Sequence, residues 1–233
     1  MAHDASFNFD RIPLFASLTQ PERDELARQS RFRRHAAGEH IIDGQSESRD
    51  IHFIIEGTVR VVNYSLSGRE VALDDISAGG YFGELAALDG SPRSAFVMAH
   101  GGEAVTAAMP CEVFLGLLGK KPVLGLEIMK RLTRMIRQSN ERIMDLSTLG
   151  ANNRVHAELL RQAVAVTADG RTATISPIPL HSDIASRVST TRETVARVLN
   201  DLARSGIVER RKNALVVHDI ARLAILVEDV RGN

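Results

Sequence analysis

The sequence predicts an α+β chain in three segments: an N-terminal β-barrel, a long helix built to pair with its copy, and a C-terminal winged helix-turn-helix. Three observations carry this. Between residues 38 and 112, short β-branched runs are punctuated by glycines at 38, 44, 57, 68, 79, 80, 83 and 90, as turns between barrel or sandwich strands require. From Val123 to Leu149, Ile128, Leu132, Met135, Ser139, Arg142, Leu146 and Leu149 follow a 4-3 alternation, the seam of a coiled coil. After residue 180, two short helical patterns flank a three-residue break, and two short strand-like runs follow.

The 233 residues, 44% hydrophobic and 25% charged, are enough for two modest domains with their own cores. The segment bounds are 1–122, 123–150 and 151–233. Net charge is zero, but residues 1–150 hold 17 Lys and Arg against 20 Asp and Glu, and residues 151–233 hold 12 against 9. The halves are therefore −3 and +3, a mild asymmetry of the kind that accompanies two jobs. No apolar run is long enough to span a membrane, and the first residues lack a basic-then-apolar leader. The single cysteine, Cys111, forms no internal disulfide and supplies no four-thiolate cluster. The expected setting is cytoplasmic, with no membrane partner.

Taking the elements in order, LTQPERDELARQS (Leu18–Ser30) reads as a helix with Thr19 as cap and Pro21 in its first turn. RFRRH (Arg31–His35) reads as a solvated surface run. HFIIEGTVRVVNYSLSGREVAL gives two strands around Ser67-Gly68, a hairpin signature. The polar seam residues Ser139 and Arg142 either fix register, or Ser139 with Asn140 meets a polar ligand between two copies. Gly150 breaks the long helix, with a hinge at Thr148–Asn153, and the next helix is RVHAELLRQAVAV. Ser182 then caps a short helix through Val188, and small Ala185 lets another helix cross closely. On the second helix, to about Ser205 and stopped by Gly206, Val195, Val198, Leu199 and Leu202 form the buried stripe. Arg192, Glu193 and Arg197 fall on the other side, where arginine can bond guanine and glutamate can accept from cytosine. Thr190-x-x-Glu193 also fits a capping box, whereas Thr191 as cap frees Glu193 to point outward. ERRKNALVV forms two short strands around Lys212-Asn213, a basic wing.

The chemistry concentrates in GELAALDGSPRSA (Gly83–Ala95), a small apolar run carrying Glu84 and Arg93. Glu84–Leu88 can make one helical turn whose first N–H groups lack intrahelical partners. Asp89-Gly90-Ser91-Pro92 turns the chain and brings Arg93 and Ser94 back. Arginine forks two phosphate oxygens and serine donates one bond more. Glu84 repels phosphate but accepts a sugar hydroxyl. The competing reading is an internal Glu84–Arg93 ion pair beside a tight turn.

Phe82–Ala95, F-G-E-L-A-x-L-x-G-x-P-R-S-A, resembles the phosphate-binding cassette of cyclic-nucleotide-binding domains. Ser189–Arg197, S-T-T-R-E-T-V-A-R, resembles the winged helix-turn-helix of bacterial cyclic-AMP receptor proteins. The resemblance runs from Phe9 to Asp219 and implies a jelly-roll barrel, a dimerisation helix and a DNA-binding domain, in the cyclic-AMP receptor and fumarate-nitrate regulator family. It implies that Arg93 and Ser94 bind the cyclic phosphate with backbone at Gly83, Leu85 and Ala86, Ala95 completing the cassette, and that Glu84 holds the ribose 2′-hydroxyl. Ser139 and Asn140 match the base-contacting positions of the long helix. Ser182, Thr190, Thr191, Arg192, Glu193 and Arg197 match the DNA-contacting set, with Arg192, Glu193 and Arg197 reading a TGTGA-type half-site. Cyclic AMP is the implied allosteric ligand, cyclic GMP the second candidate. A double-stranded operator, a second copy of the chain and RNA polymerase are the implied partners. Two departures stand out: Asn140 replaces a hydroxyl residue, and Ser189 replaces the turn glycine, which strains a positive-φ position.

Other classes fit less well. A redox or gas sensor of the same architecture would need an iron–sulfur cluster that one cysteine cannot hold, or haem on Cys111 or a histidine. A phosphodiesterase would need His52, His100 or His181 in metal-ligand spacing, which the sequence lacks; Asp74 and Asp75, adjacent on a strand, point to opposite faces. No enzyme activity and no metal are expected. Cys111 reads as a small packed residue.

Overall fold

A computed structural model describes residues 7–44, 46–163, 165–166 and 170–231. The chain packs as two compact units, Met1–Thr133 and Arg134–Asn233.

The first unit opens with a short 3-10 helix, Pro13–Phe15, and α1, Gln20–Arg28. Glu22 accepts from the Thr19 N–H at 2.8 Å and the Thr19 hydroxyl at 3.0 Å, which ties the helix start. Eight strands follow: β1 (Arg31–His35), β2 (His40–Ile42), β3 (Ile51–Glu56), β4 (Thr58–Tyr64), β5 (Glu70–Ser77), β6 (Tyr81–Phe82), β7 (Phe96–Ala99) and β8 (Ala104–Met109), with α2 (Glu84–Asp89) between β6 and β7. They form two four-stranded sheets, ordered β1-β8-β3-β6 and β2-β7-β4-β5. The expected barrel is thus an open, two-sheet jelly roll. Ile42, Ile54, Val59, Ile76, Phe82 and Val97 form one buried cluster. Phe9, Phe15, Phe53 and Phe114 anchor a second, larger one. The β4–β5 hairpin turns at Ser65–Arg69 as expected, with Gly68 at φ 75°.

RFRRH is solvated at its three arginines, as expected, but not throughout. It is β1, an edge strand paired with β8. Its arginines stay outside on Asp50, Glu39 and Glu103, while Phe32 packs on the core and His35 is buried with its Nε2 2.9 Å from the Thr106 hydroxyl. Charged residues suit an edge because they discourage pairing with another chain.

After β8 comes α3 (Cys111–Lys120), a helix the pattern hid because Gly116 and Gly119 interrupt it. Its Phe114 is fully buried, and the Cys111 thiol lies 3.3 Å from the Ala87 carbonyl. The long helix α4 spans Pro122–Thr148, one residue from its expected bounds. Its seam is differently phased. Leu124 and Ile128 are buried in the first unit's core, Leu132 packs against it, and Leu149 is buried in a small cluster with Ala157 and Val227. The exposed stripe lies one residue further along, at Met129, Ile136 and Ile143, with Thr133, Asn140 and Ser147 at the intervening 4-3 positions. The chain's own cores claim Ile128 and Leu149 at the two ends of the expected seam, while Ser139 and Leu146 between them stay exposed.

The second unit continues with α5 (Ala151–Gln162), β9 (Ala165–Val166), β10 (Ala173–Ile175), α6 (His181–Arg187), α7 (Arg192–Arg204), β11 (Val208–Arg210), β12 (Leu215–Val217) and α8 (Ile220–Arg231). The break at Leu149-Gly150 falls within the expected hinge. The helix expected to run to Val166 stops at Gln162, and Ala165–Val166 is instead a strand on β10. The sheet order is β11-β12-β10-β9. Val155, Leu159, Ile184, Val195, Val198, Leu202, Val217 and Leu223 form the core. β10 and α8 have no counterpart in the sequence reading; Asp219 starts α8 by accepting from the Arg222 N–H at 2.9 Å.

Candidate functional site

In the first unit the cassette residues converge on one loop. Gly83 caps α2 at φ 85°, in the left-handed region. A Cβ there would sit 2.5 Å from Arg93 Nη1 and 3.1 Å from the Asp50 carbonyl, so both conformation and space require glycine. Gly90 ends α2 at φ 72°, and the Ser91 N–H bonds Asp89 Oδ1 at 2.9 Å. This turn returns the chain to Arg93, which is 6% exposed.

The Arg93 guanidinium donates to the Gly83 carbonyl at 3.0 Å, the Asp50 carbonyl at 2.7 Å and the Ser48 hydroxyl at 3.0 and 3.2 Å. All are neutral oxygens. Among the described residues no ion pair joins Arg93 to Glu84, so the internal salt-bridge reading does not hold. Burial pulls Arg93 below the ordinary arginine value, partly offset by the charges of Asp50 and Glu84. Glu84 is 3% exposed. Burial raises its pKa above the ordinary glutamate value; Asp74 adds to the rise, while Arg131 and Arg93 oppose it. The Arg131 guanidinium lies 4.3 Å over the Tyr81 ring, at the start of the same loop. The site therefore holds a buried cation bonded only to neutral groups beside a buried, reluctant anion. Desolvated charges of this kind are costly until something pairs with them.

Of the other expected residues, Ala86 and Ala95 are buried, Leu85 and Ser94 are exposed, and the Ser94 carbonyl accepts from Asn63 at 3.2 Å. Ser139 and Asn140 lie on α4 in the second unit, both exposed, and only Asn140 is in line with the apolar stripe. Ser48 and Arg131 escaped the sequence reading. Ser48 sits in an ordinary polar loop, and Arg131 is one of several arginines whose helix face only packing reveals. His52 stacks on Phe82 at 5.0 Å, and burial lowers its pKa to about 3, so it is a neutral packed ring. No group of three or more His, Cys, Asp or Glu side chains among the described residues could hold a metal, and no described helix is long and apolar enough to cross a membrane.

In the second unit α6 and α7 flank the turn. Thr191 is the α7 cap, its hydroxyl accepting from the Thr194 N–H at 3.2 Å, while the Thr190 N–H bonds the Ala185 carbonyl. That choice of cap leaves Glu193 outside a Thr190 capping box. Glu193 is exposed, its carboxyl lowered by its own N–H and by the Thr191 hydroxyl. Arg192 and Arg197 are also exposed, opposite buried Val195, Val198 and Leu202. Ser182 does not cap α6: Leu180 holds that position, and Ser182 lies inside the first turn, 3.5 Å from Asp183 Oδ1. Ser189 sits at φ 53°, the left-handed conformation expected of it. β11 and β12 form the wing, with Arg210, Arg211 and Lys212 exposed.

Two family models match this chain: the cyclic nucleotide-binding domain over residues 32–121 and the Crp-like helix-turn-helix domain over residues 153–226. The cyclic AMP receptor protein of Thermus thermophilus is 29% identical over 214 residues, 91% of this chain and 94% of that protein. Among solved structures, a mutant of CooA from Carboxydothermus hydrogenoformans matches with a TM-score of 0.74 at 21% identity, over 86% of this chain and 88% of the other. The c-di-GMP responsive global regulator CLP of Xanthomonas campestris matches with a TM-score of 0.68 at 18% identity, over 82% and 95%. At such identities the two structures establish a shared fold.

Proposed function

From a chain that belongs to the CRP/FNR family of transcription regulators, with a cyclic-nucleotide-binding domain and a DNA-binding helix-turn-helix, we propose a homodimer whose affinity for a palindromic TGTGA-type operator is controlled by cyclic AMP, with cyclic GMP as second candidate. Residues 1–122 bind the nucleotide, 123–150 pair two copies and carry the hinge, and 151–233 bind DNA. The single observation that carries the reading is Arg93, a buried guanidinium bonded only to neutral oxygens.

In this reading Arg93 forks the cyclic phosphate, helped by Ser94 and the backbone at Gly83, Leu85 and Ala86, with Ala95 packed behind. Glu84 accepts the ribose 2′-hydroxyl, a charge-assisted bond of about 1.5–3 kcal/mol. Ser139 and Asn140 meet the base across the dimer, which the exposed stripe of Met129, Ile136 and Ile143 holds together. Two α7 helices then lie about 34 Å apart in successive major grooves. Arg192, Glu193 and Arg197 read base edges, with Thr190, Thr191 and Ser182 on the backbone. RNA polymerase is the downstream partner, and the setting is cytoplasmic. The Thermus relative is named a cyclic AMP receptor protein, which supports adenine; the Xanthomonas neighbour is described as c-di-GMP responsive, so that nucleotide belongs in the same titration. Calorimetry with cyclic AMP, cyclic GMP and c-di-GMP, followed by operator binding with and without the tightest ligand, tests the reading. Saturable binding of a cyclic mononucleotide and tighter operator binding are expected. Equal operator affinity with and without nucleotide overturns the switch.

A further inference from the structure

Arg154, on the first turn and a half of α5, spends its guanidinium on three main-chain carbonyls. Nε donates to Val188 at 2.8 Å, Nη1 to Leu149 at 2.8 Å and Nη2 to Ser189 at 3.2 Å. Leu149 is the residue after the long helix ends, still helically bonded through its N–H to Asp145. Val188 and Ser189 form the turn between α6 and α7. One planar group thus ties the exit of α4 to the turn that aims α7.

The turn is where the chain departs from ease. Ser189 holds φ 53°, a conformation that favours glycine. The bonds from Arg154 to the carbonyls on both sides of that φ are available only while the turn keeps this geometry. They offset the strain that a side chain introduces there. A lysine carries the same charge but lacks the rigid fork that reaches three acceptors.

We propose that Arg154 is a positioning residue for DNA binding: it holds the strained Ser189 turn, and with it the recognition helix, at a set angle to the end of the long helix. The proposal rests on the DNA-binding reading above. It assigns a role to a side chain outside the nucleotide- and DNA-contacting residues proposed above.

The test uses full-length protein with saturating cyclic AMP and two duplexes, one carrying palindromic TGTGA half-sites about one helical turn apart and one scrambled. Arg154→Gln and Arg154→Lys should each bind the palindrome at least about fivefold more weakly, with unchanged affinity for the scrambled duplex and for nucleotide. Ser189→Gly, which removes the need for the staple, should recover most of the loss when combined with Arg154→Gln. Wild-type affinity in Arg154→Lys, or strict additivity of Ser189→Gly and Arg154→Gln, overturns the positioning role. A wild-type protein that does not distinguish the two duplexes overturns the operator reading instead.

Discussion

Arg93 in the first unit is buried and Arg161 in the second is partly exposed, and the groups each guanidinium meets are opposite in kind. Arg161 donates to Asp145 at 2.6 Å and to Glu158 at 3.0 and 3.2 Å. Both acids are buried, and Gln162 and Arg187 also reach Glu158. Burial alone would lower Arg161, but its two acids hold it above the ordinary arginine value. Arg93 meets carbonyls and a hydroxyl, and burial pulls it down. Arg161's charge is neutralised within the chain and serves architecture, joining the end of α4 to α5. Arg93's charge is met by neutral dipoles, the arrangement on which the nucleotide proposal rests. The contrast lies in the bonded partners: carboxylates around Arg161, neutral oxygens around Arg93.

Removing each guanidinium separates these roles. Arg161→Ala removes a charged partner from buried Asp145 and from Glu158, which keeps Gln162 and Arg187, and should cost about 1–3 kcal/mol of stability, read as a lower midpoint in chemical denaturation. A midpoint near wild type would break the contrast. Arg93→Ala should act on ligand instead. Losing two charge-assisted bonds of about 1.5 kcal/mol or more each predicts cyclic-nucleotide affinity down by about 100-fold or more. Equal nucleotide affinity in Arg93→Ala would mean that the neutral cage is complete without an anion.

Glu84 gives a smaller, pH-dependent effect. Its folded-state pKa is raised by burial, so the folded protein binds this proton more tightly than the unfolded chain. The associated stability is present below the ordinary carboxylate pKa and is lost as pH rises through the raised value. Glu84→Gln should flatten that part of the stability–pH profile. A sugar hydroxyl donating to Glu84 favours its ionised form, so nucleotide binding in weak acid should release protons. Calorimetry in buffers of different ionisation enthalpy reads the release, and proton uptake would contradict the sugar assignment.

Where local geometry depends on a few consecutive residues, the sequence was readable. The Gly83 turn, the return of the chain at Asp89–Pro92, and the break before Thr191 follow from local rules about φ, caps and turns. A choice such as Thr190 or Thr191 as cap stayed open because both satisfy the same local pattern. Ser182 was misread for a related reason: a serine near a helix start caps it only if the backbone enters the helix at that residue, and here Leu180 does so. α3 and α8 were missed because short segments rich in glycine or apolar on several sides carry little periodic signal.

The sequence by itself determined the class of the molecule: strands punctuated by glycine, a long heptad-patterned helix, a helix-turn-helix, and a glycine- and arginine-bearing cassette. Those properties are periodic or local, so a linear string contains them. Only the tertiary structure decided which stripe of α4 is left exposed, because the core occupies the face with Leu124 and Ile128. Only it brought Ser48 to Arg93, Arg131 to the Glu84 loop and Arg154 to the Ser189 turn. Such contacts join residues tens of positions apart, and their energies depend on burial and distance, which come into being when the chain packs.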